Sequence, residues 1–156
     1  MDAANECQIE HLLTIAIDLE AYPNMLALVA DYPQISVTVG VHPNEQDGKE
    51  PTVDELIALG QFDKVIGIGE TGLDYFRSEG DLAWQQQRFR NHINAAKALK
   101  KPIIVHTRDA KRDTLRILQE ENAAEIGGII HCFTEDWEFA QGALDLGFYI
   151  SFSGIV

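Results

Sequence analysis

The sequence predicts an α/β fold built around a parallel sheet, and three observations predict it. Apolar, β-branched runs of strand length alternate along the chain with longer stretches of helical spacing. Those runs are nearly continuous in Val and Ile, the pattern of strands covered on both faces rather than one. At 156 residues, 46% of them hydrophobic, the chain is also long enough to bury one core. With right-handed crossovers between parallel strands, two architectures fit equally: a doubly wound open sheet, or part of a (β/α)8 barrel.

Taken in order, the predicted strands cover residues 13–18 (LTIAID), 35–41 (ISVTVGV), 65–70 (VIGIGE), 102–106 (PIIVH), 128–132 (GIIHC) and 148–153 (FYISFS). Between them Leu26, Val29 and Ala30 recur at helical intervals, as do Leu56, Ile57 and Leu59, then Phe89, Ile93, Ala96 and Leu99. A helix over 110–121 follows, with Asp109 as its expected N-cap. Five helices would join six strands. His11 and His92 fall in helical stretches and are expected to face solvent, while Trp84 and Trp137 are expected to pack helices. No linker, low-complexity segment or repeat beyond the βα rhythm interrupts the chain, so residues 1–156 are expected to form a single domain.

Composition excludes several classes of protein. A charged share of 24% with 8% aromatics lies near globular averages, against disorder or a disulfide scaffold. No apolar run approaches the roughly 20 residues of a membrane span, and the opening MDAANE lacks a basic region followed by an apolar one. The expected location is the cytoplasm, without a membrane partner. Cys7 and Cys132 form no C-x-x-C pair and read as small core residues in a reducing compartment. Twelve Lys and Arg against 25 Asp and Glu give a net charge of −13, which opposes passive attraction to phosphate backbones. A chain of this charge that handles phosphates needs bound cations.

The chemistry gathers at strand ends. Glu70 closes VIGIGE, His106 closes PIIVH, and His131 stands near the end of GGIIHC. In a parallel sheet that edge collects the βα loops and the active site, and carboxylate with neutral imidazole is a ligand set for Zn²⁺, Mn²⁺ and similar ions. Alternation places Glu70 on a face with Ile66 and Ile68, His106 with Ile104, and His131 with Ile129. A lone strand-end His is more often a hydrogen-bonded core or loop residue; three ligand-type residues in one topological place favour a metal site.

Arg108, two residues beyond His106, reads either as a contact for a phosphate oxygen or as half of a surface salt bridge. His42, held by Pro43, reads as a donor beside the site, as a substrate contact, or as a turn residue with a local hydrogen bond. Tyr75 and Phe76 are placed to wall a pocket. Residues 67–72 match G-x-G-x-x-G, but no helix follows directly to receive a pyrophosphate, and Glu70 puts a negative charge there. This is not read as a dinucleotide site.

Five segments then fall into a known order: GVHP (40–43), GETGLDY (69–75), PIIVHTRDA (102–110), HCFT (131–134) and SFSG (151–154). In order and spacing they resemble the TatD family of metal-dependent hydrolases and deoxyribonucleases. The resemblance implies a TIM (β/α)8 barrel, with this chain holding about six parallel strands and five connecting helices. It implies a site for two divalent metal ions, Zn, Mg or Mn undistinguished, and hydrolysis of a phosphodiester substrate, DNA foremost. Glu70 is implied as the carboxylate bridging both metals, and His106 and His131 as ligands of the second. Arg108 is implied to meet transition-state charge on the phosphate, and His42, Asp74 and Tyr75 to make outer-shell or substrate contacts.

The departures from the family pattern are specific. Family members open with a His-x-His pair on the first strand and take an Asp ligand from a later one, whereas this chain has no His-x-His. A typical barrel of about 250 residues leaves it roughly 90 short. It is therefore expected to be an internal piece lacking the first and eighth strands, impaired in catalysis. The strands at 13–18 and 148–153 would then be bare edges open to self-association. Two other readings stay open: ester, lactone or amide hydrolysis on the same metal site, and a non-catalytic binding module.

Overall fold

A computed structural model describes residues 2–154. After a short helix, α1 (Asp2–Glu6), six strands alternate with five helices: β1 (Leu12–Thr14), α2 (Tyr22–Val29), β2 (Ile35–Val39), α3 (Val53–Gly60), β3 (Val65–Asp74), α4 (Ala83–Leu99), β4 (Ile103–Arg108), α5 (Lys111–Glu120), β5 (Gly128–Ile130), α6 (Trp137–Asp145) and β6 (Phe148–Ile150). A single 3₁₀ turn, Ala123–Glu125, precedes β5. All five strand pairings are parallel.

Strand order decides between the two architectures left open by the sequence. The sheet runs β1-β2-β3-β4-β5-β6, each strand beside its sequence neighbour, with no reversal of direction along the sheet. A doubly wound sheet requires such a reversal; a barrel forbids it. The fold is a run of five βα steps and a sixth strand of a TIM-type barrel.

Local chemistry sets the elements. The Val and Ile of β2, β3 and β4 feed one core under the helices, in which Val37, Val39, Ile68, Ile103 and Val105 meet Phe89, Ile93 and Ala96 of α4 and Ile117 of α5. Helix α3 opens with a reciprocal capping box, in which the Thr52 hydroxyl accepts from Glu55 N and the Glu55 carboxylate accepts from Thr52 N. Helix α6 opens on Asp136, whose carboxylate accepts from Phe139 N at 3.0 Å. Helix α5 departs from expectation: its N-cap is Ala110, and Asp109 adopts a left-handed backbone with φ of 54° instead of capping.

The paired part of the first strand is shorter than predicted. Past Thr14 the chain turns to other work: the carbonyls of Ala16 and Ile17 accept from Glu70 N and His42 N at 2.9 and 2.8 Å, tying it to the site. Five side chains also depart from expectation, in whole or in part. His92 is fully buried rather than solvent-facing, while His11 is exposed as expected but precedes β1 rather than lying in a helix, its ring on the Ser36 hydroxyl. Cys7 is exposed and Cys132 only half-buried, so neither is a core residue. Trp137 is 72% exposed, bordering an apolar hollow with Phe133, Leu144, Ile150 and Phe152 beside the free edge of β6.

Candidate metal centre

Strand β3 carries the centre because it is irregular. Its register against β2 shifts next to Val65, and against β4 it shifts between Ile68 and Thr71. These shifts overturn the simple alternation for this strand. Ile68 aligns with Val39 and Ile103 and packs outward toward α3, with its Cδ1 3.2 Å from where a Cβ on Gly60 would stand. Glu70 nonetheless points inward, because the extra residue of the second irregularity reverses the parity. On the regular strands β4 and β5 the alternation holds: Ile104 aligns with Ile129, and His106 and His131 follow two residues later.

Two glycines permit this path. Gly69 (φ 139°) and Gly72 (φ 133°) lie where a Cβ would meet β4 backbone, 2.5 Å from Ile104 O and 2.0 Å from His106 O respectively. Only glycine fits both the dihedral and the approach.

Glu70 is the hub. Its Oε1 lies 3.0 Å from His131 Nδ1, 3.4 Å from His106 Nδ1 and 4.0 Å from His42 Nε2. His42, Glu70 and His106 offer ligand atoms all within 4.8 Å of one another. Burial works to raise the Glu70 pKa, but the hydrogen bonds from His106 and His131 outweigh it and hold the carboxyl at about 2. The same contact raises the pKa of His131.

Asp74, expected as an outer-shell or substrate contact, stands behind His106 rather than in reach of a substrate. It is fully enclosed, and both carboxylate oxygens are used inside the protein. Oδ1 accepts from Phe76 N and Arg77 N at 3.1 and 2.8 Å, while Oδ2 takes Asn44 Nδ2 at 3.1 Å and His106 Nε2 at 3.0 Å. With Nε2–H donating to Asp74, Nδ1 is the ring atom turned to Glu70 and the one left for a cation to take. A carboxylate behind a histidine fixes the tautomer a metal ligand needs.

His42 differs from His106. Its Nδ1 accepts from Asn44 N at 3.1 Å, so the neutral ring carries its proton on Nε2, 3.2 Å from His106 Nδ1. Burial, reinforced by the neighbouring His106 and opposed by Glu70, lowers its pKa to about 4. That ring suits a neutral donor better than a metal ligand, because metal on Nε2 would need a proton on Nδ1 facing the Asn44 amide. Of the three ligand-type residues read from strand ends, Glu70 and His106 lie in the group whose ligand atoms come together, while His131 stands beside it through its contact with Glu70.

Arg108 is exposed at the end of β4, and no carboxylate pairs with it among the described residues; its guanidinium lies 4.5 Å from the centroid of Phe76. The surface salt bridge weighed from sequence is thus not formed. The Tyr75 hydroxyl donates to Asp113 Oδ2 and accepts from Gln86 Nε2, both at 2.8 Å. Its ring walls a hollow of about 610 Å³ shared with Asp109, Lys111, Arg112 and Glu135.

Sequence reasoning missed a buried polar stripe on α4. Gln85, Arg88 and His92 are all but inaccessible to solvent. Gln85 accepts from Asp74 N at 2.9 Å and donates to Asp74 O and Ser78 Oγ. Arg88 donates to the carbonyls of His42 and Glu45 at 2.8 and 2.7 Å and pairs with Glu50. His92 Nε2 accepts from Val41 N at 3.0 Å. The helix holds both His42 and the Asp74–His106 pair. The available signal was the spacing, since these residues flank Phe89, Ile93 and Ala96 along the same side of the helix.

A barrel-type parallel sheet that gathers a carboxylate and imidazoles from consecutive strands has the architecture and donor chemistry of a metal-binding barrel site. The family described as TatD related DNase matches residues 1–156, and the chain belongs to it. Among curated relatives, it is 46% identical over 95% of its length to "Uncharacterized metal-dependent hydrolase YcfH" of Escherichia coli K12, covering 56% of that protein. It is 32% identical over 95% of its length to "3'-5' ssDNA/RNA exonuclease TatD" of Salmonella typhimurium, covering 57% of it. Among solved structures, the TatD homologue YJJV of E. coli superposes with a TM-score of 0.84 at 23% identity, over 96% of this chain and 58% of that one. A TatD family hydrolase from Entamoeba histolytica gives 0.82 at 26% identity, over 96% and 53%. The chain thus spans somewhat over half the length of the proteins it matches.

Proposed function

We propose that this site serves metal-assisted hydrolysis of phosphodiester bonds in nucleic acid, DNA foremost. One observation carries the reading: Glu70 is held between His106 and His131 on three consecutive strands, with the carboxylate-free guanidinium of Arg108 two residues beyond His106. The relative named as an ssDNA/RNA exonuclease supports the substrate class.

Divalent cations, which Glu70, His106 and His131 would hold, would supply Lewis acidity toward a phosphoryl oxygen and lower the pKa of a water. Glu70, ionised throughout the neutral range, supplies the negative charge that retains them. Asp74 keeps the His106 lone pair turned inward. Arg108 faces the charge that builds on phosphate oxygens, where a fixed cation acts most strongly. His42, neutral at pH 7 with its proton on Nε2, donates to an oxygen of the substrate. Tyr75, its hydroxyl tied to Asp113, contributes a wall. Bound cations also offset the net charge of −13 that would otherwise repel a polyanion.

Metal content of the gel-filtered chain after equilibration with Zn²⁺ or Mn²⁺ tests the site, and release of nucleotides from a short oligonucleotide tests the reaction. Near-stoichiometric metal, lost in Glu70→Gln and His106→Ala together with any cleavage, is expected. Equal metal in all three proteins, or cleavage that survives Glu70→Gln, would overturn the reading. Turnover of esters or lactones without phosphodiesters would move it to the amidohydrolase alternative.

A further inference from the structure

The ring atom that His106 leaves for a cation already has a partner. Asn44 N donates to His42 Nδ1 at 3.1 Å, His42 Nε2 lies 3.2 Å from His106 Nδ1, and His106 Nε2 lies 3.0 Å from Asp74 Oδ2. A backbone amide only donates and an ionised carboxylate only accepts, so the two imidazoles between them have one arrangement of protons. His42 carries its proton on Nε2 and donates it to His106 Nδ1, and His106 donates its own to Asp74. The Asn44 side chain closes the ring, its Nδ2 donating to the same Asp74 oxygen at 3.1 Å.

That arrangement and a bound cation exclude each other. Across the 3.2 Å contact the His42 hydrogen stands about 1 Å nearer to Nδ1 than its nitrogen does, and a zinc–imidazole bond of about 2.0–2.1 Å needs the same space. His42 cannot turn ligand where it stands, since metal on Nε2 would set a proton on Nδ1 against the Asn44 amide. Its backbone is held on both sides: its N donates to Ile17 O at 2.8 Å, and its O accepts from Arg88 Nη1 at 2.8 Å. Only the half-buried ring is left to move. Glu70 Oε1, 3.4 Å from His106 Nδ1 and 4.0 Å from His42 Nε2, puts the charge that draws a cation beside the contested space.

We propose that His42 is a displaceable donor: it guards the ligand nitrogen of His106 until a divalent cation takes that atom, and its freed Nε2–H then binds an oxygen of an anionic ligand at the same centre. The inference rests on the reading of this site as a metal centre and adds an order of events, cation first and oxyanion second.

Calorimetry of Zn²⁺ binding to the full chain tests it, with His42→Phe, His42→Gln and His106→Ala alongside. A phenyl ring keeps the bulk without the N–H, and glutamine keeps a donor. His42→Phe is expected to bind Zn²⁺ more tightly than wild type, by about tenfold at most, the worth of one net hydrogen bond, while His42→Gln stays close to wild type. Weaker binding by a His42→Phe chain of wild-type thermal midpoint would make His42 a ligand, and equal binding a bystander; either overturns the proposal. Imidazole ¹⁵N spectra of the wild-type chain keep the test independent of any variant. Zn²⁺ should shift the His42 Nε2–H signal and leave its tautomer unchanged; a switch to the Nδ1–H form, or no change, would overturn the displacement. Inorganic phosphate should bind the zinc-loaded wild type severalfold more tightly than zinc-loaded His42→Phe, and equal affinity would overturn the second step. The two readings fail differently: zinc bound equally by wild type and His106→Ala sinks the metal centre itself, whereas zinc lost in His106→Ala but not strengthened in His42→Phe sinks the guard alone.

Discussion

Gly72 lies where two requirements meet that no other residue satisfies. A Cβ there would stand 2.0 Å from His106 O, on a backbone with φ of 133°. Gly72→Ala should cost on the order of 3 kcal/mol or more, read as a loss of cooperative unfolding or a large fall in midpoint. Gly80 has nothing within 4 Å of a built Cβ and is the natural control, although its φ of 84° still carries strain. Asp74 acts at the same scale, holding His106 and Asn44 with one oxygen and the amides of Phe76 and Arg77 with the other. Asp74→Asn keeps the size but faces an amide toward the donors Asn44 Nδ2 and His106 Nε2, so Zn²⁺ affinity by calorimetry should fall about 10- to 100-fold. Unchanged affinity would remove Asp74 from its positioning role.

Among elements, α4 organises the centre without supplying a ligand to it. His92 is buried and neutral, its pKa lowered by burial from the ordinary 6.5 to about 4. Between those values the unfolded chain binds a proton that the folded chain does not. Its contribution is therefore whole above about pH 6.5 and is lost as pH falls toward 4, by roughly 3 kcal/mol. Thermal midpoints measured from pH 7.5 down to pH 4.5 should fall more steeply for wild type than for His92→Gln, and parallel profiles would contradict this. The helix also marks where sequence reading stops. The six strands and five connecting helices were legible because Val and Ile runs and apolar helical spacing reflect burial directly. The meeting of Glu70, His106 and His131 was legible because all three stand toward the carboxyl ends of neighbouring parallel strands. Gln85, Arg88 and His92 were not, because polar side chains on a helix normally face water, and nothing local shows that a loop will arrive to take their hydrogen bonds. The irregularities of β3 were hidden for a related reason: its glycines show backbone freedom but not the direction in which the strand will shift.

On the scale of the whole molecule, β1 and β6 each pair on one side only. Beside β6 lie Tyr149, Phe152 and Trp137, all largely exposed. Unpaired edges next to apolar surface favour association, while a net charge of −13 opposes it. Sedimentation velocity should therefore show species above the monomer that grow with protein concentration and with added salt, as screening removes the repulsion. A monomer at every concentration and ionic strength would contradict the expectation. No helix among the described residues is long and apolar enough to cross a membrane.

The unbroken strand order has a temporal consequence. Each βα unit docks on the unit synthesised just before it, so pairing never waits for a distant segment, and the sheet can grow in step with translation. Glu70, His106 and His131 would emerge in that sequence, one per added strand. These three side chains are thus together once the fifth strand seats, before β6 has formed.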